Sequence, residues 1–262
     1  MRRSTIPVLC LALALPVSAL AASEFDGTWK ANTSTEKLPS TPDRYLLAKG
    51  AFACLTCEVK AKVPADGASH PVSGSPYYDA ESVKVVDDKT VVVTRTKDGK
   101  QTSQLTLVAG DDGKTLTESF VDNASPNGQV GTGMTMSARV GAAPAGAHAI
   151  SGTWRATSFS ASDNFLTFTI AIDGDTVSVN SPAGQSYTAK LGGPDAPFAG
   201  DPGVTSVSVR RTGPHTIVET DKRDGKVVSI ATMTVSADGK TLSTKIDDKV
   251  HGSTMAFDAA KQ

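Results

Sequence analysis

The chain has 262 residues, a formal charge of -1, 20% charged residues and only 5% aromatic residues. Acidic and basic residues are nearly balanced and there is no long basic run, so nothing in it neutralises a phosphate backbone and nucleic acid is excluded as a partner. The length suffices for two cores of ordinary domain size.

Met1-Arg2-Arg3 is a short positive start, and Ile6 to Leu20 is apolar apart from one serine and two prolines. Ala19-Leu20-Ala21 then offers small residues where a signal peptidase reads, so residues 1–22 read as a secretory signal peptide and the mature protein as periplasmic or secreted. The apolar run is shorter than the roughly 20 residues a membrane span needs, which predicts no integral membrane segment after cleavage. Cys10 lies inside that run and leaves with it, and Ser4-Thr5-Ile6 lacks the rest of a twin-arginine signal. Losing Arg2 and Arg3 leaves 24 basic against 27 acidic residues, a charge of -3.

Beyond the leader the sequence repeats. Gly27-Thr28-Trp29-Lys30 returns 125 residues later as Gly152-Thr153-Trp154-Arg155. At an offset of 126, Lys89-Thr90-Val91 answers His215-Thr216-Ile217, Asp98-Gly99-Lys100 answers Asp224-Gly225-Lys226, and Asp112-Gly113-Lys114-Thr115-Leu116 answers Asp238-Gly239-Lys240-Thr241-Leu242. Landmarks kept in one order predict two copies of one fold. The copies span residues 23–140 and 149–262, each a folding unit, joined through residues 141–148, whose Gly141-Ala142-Ala143-Pro144-Ala145-Gly146-Ala147 reads as a linker of small residues.

Period-two alternation dominates both copies, as in Leu105-Thr106-Leu107, Phe168 to Ile172 and Val207 to Val209. This is the pattern of half-buried antiparallel strands. Asp-Gly pairs at Asp66, Asp98, Asp112, Asp173, Asp224 and Asp238 sit beside these runs and predict type I′ hairpins. Thr41 to Lys49 fits a helix or the start of a strand. The fold class is therefore all-β: two tandem antiparallel up-and-down β-barrels, with two β-sandwiches as the alternative, since both manage exposed strand edges.

The Gly-x-Trp openings at Gly27-Thr28-Trp29 and Gly152-Thr153-Trp154 resemble the opening motif of lipocalins and related calycins. That resemblance implies barrels and makes Trp29 and Trp154 core residues that close a barrel floor. A wider set of segments, including Cys54-Leu55-Thr56-Cys57, His70-Pro71-Val72-Ser73-Gly74, Pro76-Tyr77-Tyr78-Asp79, Ser186-Tyr187-Thr188-Ala189-Lys190 and Glu219 to Lys226, is similar to a family of exported proteobacterial two-repeat β proteins. The similarity implies export and a β-rich fold. That family brings no established activity, so no functional residue is transferred from it.

Cys54 and Cys57 are the two cysteines left after the leader. In an oxidising compartment they predict a local disulfide, whose small ring stabilises by about 2 kcal/mol at most. A redox pair would want a helix N-terminus, whereas Glu58 to Val63 alternates like a strand. A zinc or copper site would want two further ligands, and His70 is the nearest histidine in sequence. His70, His148, His215 and His251 are scattered and stand mostly beside turns. Gly113-Lys114-Thr115 and Gly239-Lys240-Thr241 lack the upstream glycine of a phosphate loop, and there is no Gly-x-Ser-x-Gly or His-Glu-x-x-His. Adjacent aspartates at 87–88, 111–112 and 247–248 point to opposite strand faces, which suits turns better than acid–base pairs.

No catalytic residue, metal site or cofactor is assigned on these grounds. Tyr77, Tyr78 and Phe198 fall on matching loops and are the candidate rim of a pocket, the competing reading being a plug at the end of a solid core. The expected function is non-catalytic: an exported protein binding a small apolar or amphipathic ligand in a lipocalin-like barrel. The alternatives are a periplasmic thiol- or metal-handling protein using Cys54 and Cys57, and a structural or protein-interaction module of the cell envelope.

Overall fold

The computed structural model describes residues 23–262, so the leader assigned to residues 1–22, with Cys10, lies outside the described residues. The strands in chain order are β1 (Gly27–Lys37), β2 (Asp43–Ala48), β3 (Ala51–Cys54), β4 (Lys62–Pro64), β5 (Asp66–Pro71), β6 (Ala80–Val85), β7 (Thr90–Lys97), β8 (Lys100–Ala109), β9 (Thr115–Asp122), β10 (Gly131–Val140) and β11 (Gly152–Ala161). One helical turn, α1 (Asp163–Leu166), precedes β12 (Thr167–Asp173), β13 (Thr176–Asn180), β14 (Ser186–Lys190), β15 (Ala196–Ala199), β16 (Ser206–Gly213), β17 (Thr216–Arg223), β18 (Lys226–Val235), β19 (Thr241–Asp248) and β20 (Ser253–Lys261). They form two ten-stranded antiparallel sheets, one a closed barrel and the other nearly closed, so the barrel alternative holds over the sandwich.

The two sheets are offset from the two sequence repeats by one strand each. The closed barrel consists of β12 to β20 with β1 between its ends, where Gly27 to Lys30 pair with Ile170 to Thr167 and Trp29 to Asn32 pair with Lys261 to Asp258. The other sheet runs β4-β3-β2-β11-β10-β9-β8-β7-β6-β5, with β11 lying between β2 and β10. Each repeat therefore gives its Gly-x-Trp strand to the other's sheet. Viewed by sheet, residues 43–161 form one contiguous unit inserted between β1 and β12 of the closed barrel.

This changes the role of the segment read as a linker. Residues 141–148 lie in the connection of the β10–β11 hairpin, inside one sheet, and the chain crosses between sheets at residues 38–42 and at Ser162 with α1. The cause is local pairing. Arg139 and Val140 face Trp154 and Thr153 across the hairpin, and the Arg139 guanidinium donates to the Ser151 and Ala149 carbonyls at 2.6 and 2.8 Å, tying the returning chain to β10.

The cores follow the period-two pattern. Val83, Val91, Val93, Leu107 and Leu116 are buried around Trp154, while Ile170, Val177, Val207, Ile217 and Leu242 are buried around Trp29. Each such aliphatic side chain contributes about 1.5–3 kcal/mol on leaving water. Both indole N–H groups donate to the carbonyl four residues upstream, Trp29 to Phe25 and Trp154 to Ile150, each at 2.8 Å.

Two of the six Asp-Gly pairs named above have positive φ at both positions that a type I′ turn demands: Asp98-Gly99 (50° and 75°) and Asp224-Gly225 (52° and 79°). At the other four only the glycine is left-handed. Lys49-Gly50 (53° and 70°) takes the same form without an aspartate, and the ambiguous stretch before it is strand β2. Of the alternating run from Glu58 to Val63, only its end enters a strand, β4.

Candidate functional site: a chamber between the two sheets

Along β1, Trp29, Ala31 and Thr33 share one face, leading from the closed end of the barrel outwards. On the neighbouring strands Phe168 stands two residues before buried Ile170, and Phe257 two before buried Ala259, so both rings lie on the core face. In the other sheet, a register shift opposite Met136 and Ser137 inserts one residue into β11. The bulge turns Phe159, instead of Ser158, to the face that carries Trp154.

These faces meet where the exchanged strands cross. There they line a half-open chamber of about 360 Å³, with Ala31, Phe159, Phe165, Leu166, Phe168 and Phe257 on its walls and Met255, Leu38 and Pro39 beside them. Behind its wall Phe120 stacks on Phe159 with ring centroids 6.4 Å apart and tilts against Phe165 at 6.2 Å. Glycine makes room for these rings: a Cβ at Gly133 would sit 2.3 Å from the Phe120 ring and 2.7 Å from the Ser160 carbonyl oxygen.

The charged side chains lining the chamber are Glu36 and Asp43. Burial pushes both carboxyls above the usual carboxylate range, offset at Asp43 by the Thr56 hydroxyl and by the charge of His251. Three cations of these strands and loops have other partners. Lys30 pairs with Asp163 at 2.8 Å, His251 with Asp248 at 2.6 Å, and Arg155 donates to the Ser40 carbonyl at 3.1 Å.

Trp29 stands beside Phe168 and Trp154 beside Asp43 in register, and a cation covers each indole. The Arg139 guanidinium lies 4.0 Å from the Trp154 ring centroid, and the Lys261 ammonium lies 4.8 Å from that of Trp29 while donating to the Glu24 carbonyl at 2.8 Å. Trp29 and Trp154 thus sit in the cores, each in the sheet of the other repeat. Their cationic lids were not legible in sequence, because neither Arg139 nor Lys261 belongs to a repeated landmark.

The three candidate rim residues do not come together. Tyr78 is buried in the first core under Arg95, 4.7 Å from its ring centroid, and Phe198 packs against Tyr187 at 5.8 Å beside the barrel core. Tyr77 lines a second, smaller cavity of about 190 Å³ with Asn164, Gln185 and Asp201, and that cavity shares Phe165 with the chamber. The plug reading describes Tyr78 and Phe198 better than the rim reading does.

Cys54 and Cys57 are bonded, with sulfur atoms 2.06 Å apart; Cys54 is buried in the core and Cys57 packs against it. His70 contacts Asp66, His148 the Asp87 carbonyl, His215 Glu24 and His251 Asp248. Among the described residues, no group of three or more His, Cys, Asp or Glu is placed to hold a metal ion.

Buried acids also escaped the sequence reading. Tyr45 donates to Glu118 at 3.0 Å inside the first sheet, where desolvation first and the Asp43 charge second push the Glu118 carboxyl up to about 7. Tyr187 donates to Glu219 inside the barrel, and Ser229 to Asp221 at 2.6 Å. Burial and the neighbouring Asp221 charge raise Glu219. No protein-family model matches the chain, and no curated protein matches it either.

Proposed function

We propose that the protein is a non-catalytic, exported carrier of a small amphipathic molecule, lipocalin-like in its use of barrel interiors. The ligand is held in the chamber between the two sheets, not in a single barrel lumen. One observation carries the reading: an aromatic chamber of about 360 Å³ is lined from the inner faces of both sheets, beside the strand partners of Trp29 and Trp154. Its size falls within the few hundred Å³ typical of small-ligand sites. The buried Cys54, bonded to Cys57, suits a local structural disulfide.

Native mass spectrometry of the protein exported from a bacterial host tests this. The expected result is extra mass that gentle activation removes and that Ala31→Trp, which fills the chamber, abolishes. A bare mass, together with no uptake of a fluorescent apolar probe, would remove the carrier reading.

A further inference from the structure

The chamber has two kinds of wall, and together they specify the charge of what enters. Its apolar side presents the rings of Phe159, Phe165, Phe168 and Phe257. Its charged lining consists of Glu36 and Asp43, and among the described residues neither carboxylate is in an ion pair. Removing a carboxylate from water without a paired cation is costly, and the two acids line apolar surface with no ion-pair partner, Asp43 being offset only by the Thr56 hydroxyl and the more distant His251 charge. An anionic head group would meet like charge at both positions. A neutral one would add no counter-charge to Glu36, and none to Asp43 beyond the Thr56 hydroxyl and the His251 charge. Aromatic faces attract a cation through their quadrupole, so rings and carboxylates favour the same sign.

We infer that the chamber selects a cationic amphiphile, an alkyl or aryl ammonium whose apolar body lies among the four phenylalanines and whose head group meets Glu36 and Asp43. This rests on the carrier reading above and adds the ligand's charge to it. Burial raises both carboxyls above the usual carboxylate range, and a bound ammonium would oppose that shift.

Three probes with a common decyl tail separate the two ideas: decyltrimethylammonium, decanesulfonate and decanol, titrated below their micelle concentrations into the exported full-length protein by calorimetry. The ammonium is expected to bind about tenfold or more tightly than either competitor at low salt. In Glu36→Gln/Asp43→Asn, which keeps the side-chain shapes, that preference should collapse while decanol binding stays unchanged. A near-ultraviolet circular dichroism spectrum like that of the parent would certify its fold. If all three probes bind alike, if the sulfonate wins, or if the double variant keeps the preference, the charge assignment is overturned and the carrier reading stands. If none binds, the carrier reading falls and this inference with it.

Discussion

At the scale of single residues, the two tryptophans are the best test of the interior. Each is fully buried, hydrogen-bonded and covered by a cation, so Trp29→Ala or Trp154→Ala should cost about 3–5 kcal/mol in denaturant unfolding. Because each indole belongs to the sheet built mainly from the other repeat, Trp154→Ala should perturb the Tyr45 and Phe52 environment, not that of Tyr187. Glu118 gives a second test, with a definite sign. Its carboxyl keeps its proton up to about pH 7 in the fold, against an ordinary value of 4.5. Between those values the folded state holds more protons than the unfolded chain. Stability therefore falls as pH rises through that window, by on the order of 3 kcal/mol, and stays lower above it. Glu219, also raised, adds to the same limb. Glu118→Gln should shrink the difference in unfolding free energy between pH 5 and pH 8, and an unchanged difference would show that Glu118 does not titrate in this way. The buried tryptophans were legible because a rare residue recurred at one place in a repeat. The buried acids were not, since Glu118 aligns with Thr244, and a lone Glu on a strand reads as solvent-facing until its neighbours across the sheet are known.

At the scale of elements, alternation located β8, β12 and β16, and chemistry at the turns was read with partial success. Asp98-Gly99 and Asp224-Gly225 adopt the double left-handed form, so Gly99→Val or Gly225→Val should cost about 1 kcal/mol or more in thermal unfolding. The Phe159 bulge is a different case. Its extra residue leaves no local mark in the sequence, yet it decides that an aromatic ring enters the chamber instead of Ser158. Gly133→Ala tests the wall behind that ring. The new methyl group would collide with Phe120 and the β11 backbone, costing about 1–3 kcal/mol and weakening decyl-probe binding. Preserved affinity would mean that Phe120 and Phe159 do not shape the site.

At the scale of the whole molecule, repeat boundaries and sheet boundaries part company. The repeats were readable because landmarks return at an offset of 125 or 126, but pairing partners are not written in a periodicity: β1 and β11 both open with Gly-Thr-Trp, and that motif does not say which sheet each joins. The nested arrangement predicts that a segment spanning residues 38–162 folds alone, since β2 to β11 complete one sheet. A segment spanning residues 23–140 should not, because β11 is missing between β2 and β10. Amide exchange on the two segments distinguishes them. Cleavage at a protease site inserted near Pro144 should leave a particle of unchanged size by gel filtration, the cut pieces being held by exchanged strands. The nesting also sets a clock on synthesis. β1 emerges first, but its partners β12 and β20 follow only after the inserted unit, on the order of ten seconds later at ordinary elongation rates of about 5–20 residues per second. Throughout that wait an unpaired strand bearing Trp29 faces a growing chain that already contains its look-alike. Folding fidelity then depends on β11 reaching β10 across a short hairpin before β1 can take its place.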